Sequence, residues 1–240
     1  MSCSAVALCV RDVAVAFGGR RGASGRGIDV AAWDVAAGAQ VAVCGPSGSG
    51  KTTLLDTLAG LRAPDRGRVW WDGDEITAMS QPQLDRWRRA RVGLVFQQFH
   101  LFPGLSALEN VLLPFRFRGF TVPAEARRRV RDLLATAALP EGRRVTELSR
   151  GEMQRVALVR ALATAPPVVL ADEPTASLDR DTAAHVGSIM RAMCREARAT
   201  LVVATHDPAL AATLDATFHI AEGTLRGPAG EPAARTRAAA

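Results

Sequence analysis

The stretch that most constrains this chain is Gly45-Pro46-Ser47-Gly48-Ser49-Gly50-Lys51-Thr52, which satisfies the pattern G-x-x-x-x-G-K-[ST] in full. Before it, Val41 to Cys44 reads as a short apolar strand; after it, Lys51 to Leu61 places Leu54, Leu55, Leu58 and Leu61 on one helical face. Strand, glycine-rich loop and helix in that order open an α/β core. The glycines let successive backbone N–H groups turn inward around phosphate oxygens, and the following helix aims its positive end at the same place. Lys51 is then placed to reach the β- and γ-phosphates of a nucleotide, and Thr52 a bound Mg²⁺.

Composition sharpens this reading at one point. The chain carries 30 Lys and Arg residues, and only Lys51 is lysine. Arginine's planar fork is larger than a compact ammonium, so the one position that kept lysine is read as needing a point charge in a tight space. The base of the nucleotide needs a holder too. With no tyrosine in the chain, Phe17, at the end of a predicted strand, is the candidate to stack on adenine. The guanine-reading pattern N-K-x-D cannot occur, because the only asparagine is Asn110, so ATP is favoured over GTP.

Apolar runs at Val6–Val10, Val13–Phe17 and Ile28–Val35, separated by a Gly/Arg/Ser stretch from Gly18 to Gly27, read as an N-terminal antiparallel sheet with turns. Val92–Phe96, Val168–Ala171 and Leu201–Ala204 read as central parallel strands buried on both faces. Between the first two lies a helical stretch in which Val130, Leu133, Leu134, Ala137 and Ala138 recur at helical spacing. Arg127, Arg128, Arg129 and Arg131 among them read as a solvated face. The fold expected is α/β: a P-loop NTPase core with a mainly parallel sheet, an N-terminal antiparallel β subdomain and a helical subdomain inserted at about 99–150. The ATPase domain is expected to span 1–226, with 227–240 a flexible tail rich in Gly, Pro, Ala and Arg.

Pro167-Val168-Val169-Leu170-Ala171-Asp172-Glu173 is an apolar strand ending in two carboxylates, and ligands of open α/β sheets bind beyond the carboxyl ends of the strands. Strand alternation predicts separate roles: Asp172 holds Mg²⁺ and Glu173 polarises the water that attacks the γ-phosphate. Gln97 and His206 follow apolar strands in the same way and are expected at the edge of the same site, Gln97 also within reach of the metal.

These residues carry a family resemblance over nearly the whole chain. Leu148-Ser149-Arg150-Gly151-Glu152 resembles the signature segment of ATP-binding cassette ATPases; Ser177-Leu178-Asp179 and Thr205-His206-Asp207 resemble the segments that follow the acidic strand and carry the switch histidine. The resemblance implies a head-to-tail dimer. Each ATP, with Mg²⁺, is sandwiched between one copy's Gly45 to Thr53 and the other's Ser149 and Gly151, with Asp179 nearby. Ser149 and Glu152 form an S-x-x-E capping box that would turn a helix start toward the γ-phosphate. The sequence departs from the family where Arg150 replaces a usual glycine and Glu152 a frequent glutamine.

Val95-Phe96-Gln97-Gln98-Phe99-His100-Leu101-Phe102-Pro103, continuing to Leu108-Glu109-Asn110-Val111, is similar to the branch serving lipoprotein release, macrolide-type export and cell division. In that branch the stretch after Gln97 lines a groove for a coupling helix of a membrane permease, and Phe99, Leu101 and Phe102 are the apolar anchors expected here. The resemblance therefore implies an ATP-hydrolysing transporter subunit. It would pair with a second copy or a homologous ATPase and drive export or extraction of a hydrophobic, lipid-linked or peptide-like cargo. It would sit in the cytoplasm against the inner face of the cell membrane through that permease.

The alternatives are a nucleic-acid-directed cassette, suggested by the charge of +6, and a regulatory one. One cassette without sustained heptads speaks against the first, so no nucleic-acid partner is expected. Retention of Glu173 and His206 speaks against an inactive scaffold. No apolar run approaches the roughly 18 residues of a spanning helix, and the start lacks the layout of a secretory signal. The four cysteines form no C-x-x-C pair and read as reduced cytosolic thiols.

Overall fold

A computed structural model describes residues 7–17, 25–117, 121–227 and 235–236. Its elements run in the order β1 Leu8–Phe17, β2 Gly25–Val35, β3 Gln40–Cys44, α1 Lys51–Leu58, β4 Arg66–Trp71, β5 Asp74–Glu75, α2 Gln81–Arg91 and β6 Val92–Val95. There follow α3 Ala107–Arg116, α4 Ala124–Thr136, α5 Arg150–Leu162, β7 Val168–Asp172, α6 Arg180–Glu196, β8 Thr200–Thr205, α7 Pro208–Ala211, β9 Ala216–Ala221, β10 Thr224–Arg226 and β11 Arg235–Thr236. The strands form one sheet in the order β5-β4-β1-β2-β10-β9-β3-β8-β7-β6, with β11 beside β2. β6, β7, β8, β3 and β9 pair in parallel, so their carboxyl ends lie along one edge. β5, β4, β1 and β2 form the antiparallel end of the sheet.

The central strands read as unbroken apolar runs because both faces of the sheet are covered. Val168 and Leu170 of β7, with Val202 and Ala204 of β8, face a cluster that includes Leu54, Leu55 and Leu58 of α1, Trp33, Trp71 and Phe218. The alternate residues Val169, Ala171, Leu201 and Val203 face a second cluster with Val156, Leu158 and Val159 of α5 and Met190, Met193 and Cys194 of α6. Trp33 and Phe218 meet edge to face at 5.2 Å, and the indole N–H of Trp71 donates to the Leu58 carbonyl at 2.9 Å, which ties the antiparallel end of the sheet to α1.

Several boundaries differ from expectation. Leu8–Val10 and Val13–Phe17 belong to one strand, since Asp12 turns through a positive φ of 51° without ending β1, and Val6 lies outside the described residues. β2 begins at Gly25, inside the stretch read as turns; residues 18–24 lie outside the described residues. α1 stops at Leu58 and Gly60 turns left-handed, so Leu61 is exposed rather than on the buried face. α4 ends at Thr136; Ala138 is exposed at positive φ, and Leu139 takes its place in the core. The arginines of α4 are the solvated face expected, except that Arg129 reaches back to the Ala163 carbonyl at the end of α5. Within the stretch read as a tail, Arg235–Thr236 pairs with Asp34 and Val35 of β2.

Candidate functional site

The phosphate loop leaves the carboxyl end of β3, which is held between β8 and β9 in parallel register. Gly50 caps α1 at φ 104°, and a Cβ there would lie 2.5 Å from Ile28 Cγ2; a side chain is excluded both by conformation and by space. Lys51 is only 7% exposed. Its Nζ donates to the carbonyls of Gly45 at 2.7 Å and Pro46 at 3.1 Å, and it pairs with Glu173 Oε1 at 3.2 Å. Pro46, Ser47 and Gly48 are exposed at the rim, whereas Ser49 and Thr53 are buried, and Ser49 Oγ has no hydrogen-bond partner. The lysine thus folds back into its own loop and onto the carboxylate of Glu173, just past the end of β7.

β7 ends at Asp172, and Glu173 turns left-handed at φ 47°, with its N–H donating to the Ala204 carbonyl at 2.8 Å. The two acids are therefore separated by this turn rather than by the pleat of a strand. Asp172 Oδ2 accepts from the Thr52 hydroxyl at 2.8 Å, while Oδ1 is buried without a partner. Burial pushes the Asp172 carboxyl above its ordinary range; the Thr52 hydroxyl works the other way, and the charges of Glu173 and Asp56 add to the rise. Glu173 Oε2 meets His206 Nδ1 at 2.8 Å and the His206 N–H at 3.3 Å. Lys51, Thr52, Asp172, Glu173 and His206 thus come together in space.

Gln97 lies two residues past β6 at the same sheet edge and is exposed. Phe17 ends β1 as expected; its side chain lies outside the described residues. Ser149 caps α5: its Oγ accepts from the Glu152 N–H at 3.2 Å, and Glu152 Oε2 accepts from the Ser149 N–H at 2.8 Å. That backbone donor is the main reason the Glu152 carboxyl sits below its usual range. Gly151 is buried against α6, where a Cβ would meet Thr182 Cγ2 at 2.5 Å. Asp179 caps α6, accepting from the Thr182 N–H at 3.0 Å, so the Ser149 and Asp179 segments meet through Gly151 and Thr182.

Of the expected anchors, Phe102 is 52% exposed, and Phe99 and Leu101 are half-buried. Phe102 borders a groove of about 440 Å³ together with Phe96, Leu113, Phe117, Arg89 and Arg160. Sequence reasoning missed two of the residues that shape it. Phe117 is 71% exposed. Asn110, fully buried, accepts from the Phe102 N–H at 2.8 Å and donates to the carbonyls of Phe102, Leu105 and Ser106 at 3.1, 3.3 and 3.0 Å. The lone asparagine was a signal, and so was Ser106-Ala107-Leu108-Glu109, an S-x-x-E pattern that caps α3 as Ser149 caps α5.

Comparison with known proteins places these features in company. The model of the family described as "ABC transporter" matches residues 28–176. The lipoprotein-releasing system ATP-binding protein LolD of Chromohalobacter salexigens is 43% identical over 201 residues, 82% of this chain and 84% of that protein. An uncharacterised ABC transporter ATP-binding protein of Mycobacterium tuberculosis is 47% identical over 176 residues, 72% of this chain and 53% of its own length. Among solved structures, the dimeric ATP-binding cassette MJ0796 in a post-hydrolysis state bound to ADP and Pi is 33% identical with a TM-score of 0.78, covering 92% of this chain and 98% of that one.

Proposed function

Because the chain belongs to the ABC transporter family and is an ATP-binding ATPase, we propose that two copies, or one copy and a homologous ATPase, close head to tail on two ATP molecules and so drive a separate membrane permease. The observation that carries this reading is the meeting of Lys51, Thr52, Asp172, Glu173 and His206 at the carboxyl edge of the parallel strands. Phosphates entering the Gly45–Thr53 loop take Lys51 from its carbonyl partners and from Glu173. Glu173, released, accepts the proton of the attacking water, and His206 holds its far oxygen so that the carboxylate faces the γ-phosphate. Ser149 and Gly151 of the second copy present the start of α5, with its inward N–H groups, to the same phosphate, and Asp179 fixes the neighbouring turn.

The residues also fit a magnesium ion. Asp172 Oδ1 is buried and unpartnered beside the Thr52 hydroxyl, while among the described residues no group of three or more His, Cys, Asp or Glu is arranged to hold a metal without a ligand. Thr52, Asp172 and Gln97 would hold Mg²⁺ that arrives with ATP, where it would neutralise charge on the β- and γ-phosphates. Phe17 at the end of β1 would stack on the adenine.

Among the described residues no helix is long and apolar enough to cross a membrane, so in this reading the membrane is reached through the partner, from the cytoplasmic side. The groove bounded by Phe102 and Phe117 receives a helix of the permease. The LolD relatives favour export or extraction of a lipid-linked cargo. The test is ATPase activity of the chain alone and with permeases reconstituted in vesicles, beside double-stranded DNA as a competing stimulus. A permease that stimulates turnover, with loss of that stimulation in Phe102→Asp at unchanged activity of the chain alone, supports the reading; stimulation by DNA and by no permease defeats it.

A further inference from the structure

We infer that Arg150, which stands where the family usually has glycine, is a positioning residue that couples the docking segment to closure of the ATP sandwich. The inference rests on the head-to-tail reading above. Arg150 is the first residue of α5, exposed beside Ser149, and its guanidinium lies over the Phe99 ring at 5.9 Å from the centroid. Ten residues along the same helix, Arg160 donates to the carbonyls of His100 at 2.5 Å and Phe99 at 2.8 Å. One helix therefore grips the 99–100 turn with an arginine near each end, and the residues on either side of that turn, Phe96 and Phe102, line the groove.

A cation at the first position of a helix faces the positive end of the backbone dipole and gains nothing from it. The acid of that first turn, Glu152, is engaged by the Ser149 N–H and by Arg143 at 3.2 Å. Two places attract the Arg150 guanidinium: the negative face of Phe99, which it occupies, and an anion presented at the helix start. A γ-phosphate held by the opposite copy is such an anion. Phe99 and that phosphate compete for one side chain, so whatever displaces the 99–100 turn sets how readily Arg150 reaches across. A glycine at this position has no such choice. The departure from the family pattern is thus a link between groove and nucleotide rather than damage to the phosphate-binding helix start.

The test is a double-mutant cycle read on dimerisation, in a Glu173→Gln background that stops turnover. Light scattering gives the ATP concentration that half-drives the dimer for Phe99, Phe99→Leu and Phe99→Tyr, each with Arg150 and with Arg150→Gln. An exposed cation–π contact sets the scale at about two- to fivefold. With Arg150 present, Phe99→Leu removes the competing ring and lowers the half-point by that factor, while Phe99→Tyr keeps the ring and the native half-point. With Arg150→Gln, Phe99→Leu changes nothing. An equal shift in both backgrounds, or none in either, overturns the proposal and leaves the sandwich standing. Failure of the Glu173→Gln parent itself to dimerise with ATP overturns both.

Discussion

Glu173→Gln should tighten nucleotide binding before it affects anything else. Lys51 Nζ and Glu173 Oε1 are 3.2 Å apart, with side chains only 8% and 12% exposed. At an effective dielectric constant of about 20 that separation corresponds to about 5 kcal/mol of gross attraction. Desolvation of both groups offsets much of it, and a charge-assisted hydrogen bond nets about 1.5–3 kcal/mol. Phosphates must break this pair to claim the lysine. Glutamine keeps the shape and loses the charge, so the native protein's cost of about 1.5–3 kcal/mol disappears; at 1.4 kcal/mol per decade that is roughly a 10- to 100-fold lower Kd. The clean assay is calorimetric titration with ADP, which needs no turnover, on the native chain and the variant with the fold checked by circular dichroism. The same substitution leaves Lys51 with only its two carbonyl partners, so the empty variant should also melt at a lower temperature while gaining more from ADP. A variant that folds normally and binds ADP no better than the native chain would refute the claim that the pair opposes nucleotide entry.

Lys51→Arg should weaken ADP binding at least tenfold although charge is conserved, because a guanidinium does not fit between the Gly45 and Pro46 carbonyls at 2.7 and 3.1 Å; equal affinity by the same titration would remove the explanation for the single lysine. Glu152 has a depressed pKa, so its contribution to stability is present above the ordinary glutamate range and is lost as pH falls through the lowered value. Glu152→Gln should therefore flatten the acid limb of a urea-unfolding series, and an unchanged limb would show that the cap contributes nothing there. Asn110→Ala leaves the Phe102 N–H without its acceptor and removes the amide from three carbonyls that keep backbone partners; urea denaturation should show a loss of about 1–3 kcal/mol, with a loss below about 0.5 kcal/mol counting against the clamp.

The parts of this molecule that could be read from its sequence are those whose chemistry is local. The phosphate loop needs its glycines and lysine within eight residues, and both S-x-x-E boxes close within one helical turn. The run from Arg66 to Arg91 carries one such signal, the box of Ser80 and Gln83 that opens α2, and the sequence reading passed over it. β4 alternates exposed arginines with Val69 and Trp71 around Gly67, and α2 buries only Leu84 and Trp87, a stripe too thin for periodicity to detect. Contacts made at long range were equally silent. Lys51 and Glu173 are 122 positions apart, and nothing in either segment says that the fold pairs them. Arg150 read only as a departure from the family pattern because Phe99, which gives it a place to rest, lies on a different element.

Glu173 shows how the site depends on one backbone turn. A strand continued past Asp172 would carry the next side chain to the opposite face of the sheet, away from α1 and the phosphate loop. Instead β7 ends, and Glu173 adopts a left-handed conformation that a non-glycine residue takes at some cost. That cost is met by tertiary bonds: the Glu173 N–H on the Ala204 carbonyl extends the β7–β8 ladder by one step, and the carboxylate is fixed by His206 and Lys51. The turn brings Glu173 back to the lysine of the same loop whose threonine holds Asp172. In the proposed function both acids serve one triphosphate, the first through Thr52 and the second through Lys51, which the phosphates would take from it. A glycine at this position would adopt the turn more easily but carry no base. The strain sits where the chemistry requires a carboxylate, and the register of two neighbouring strands holds it there.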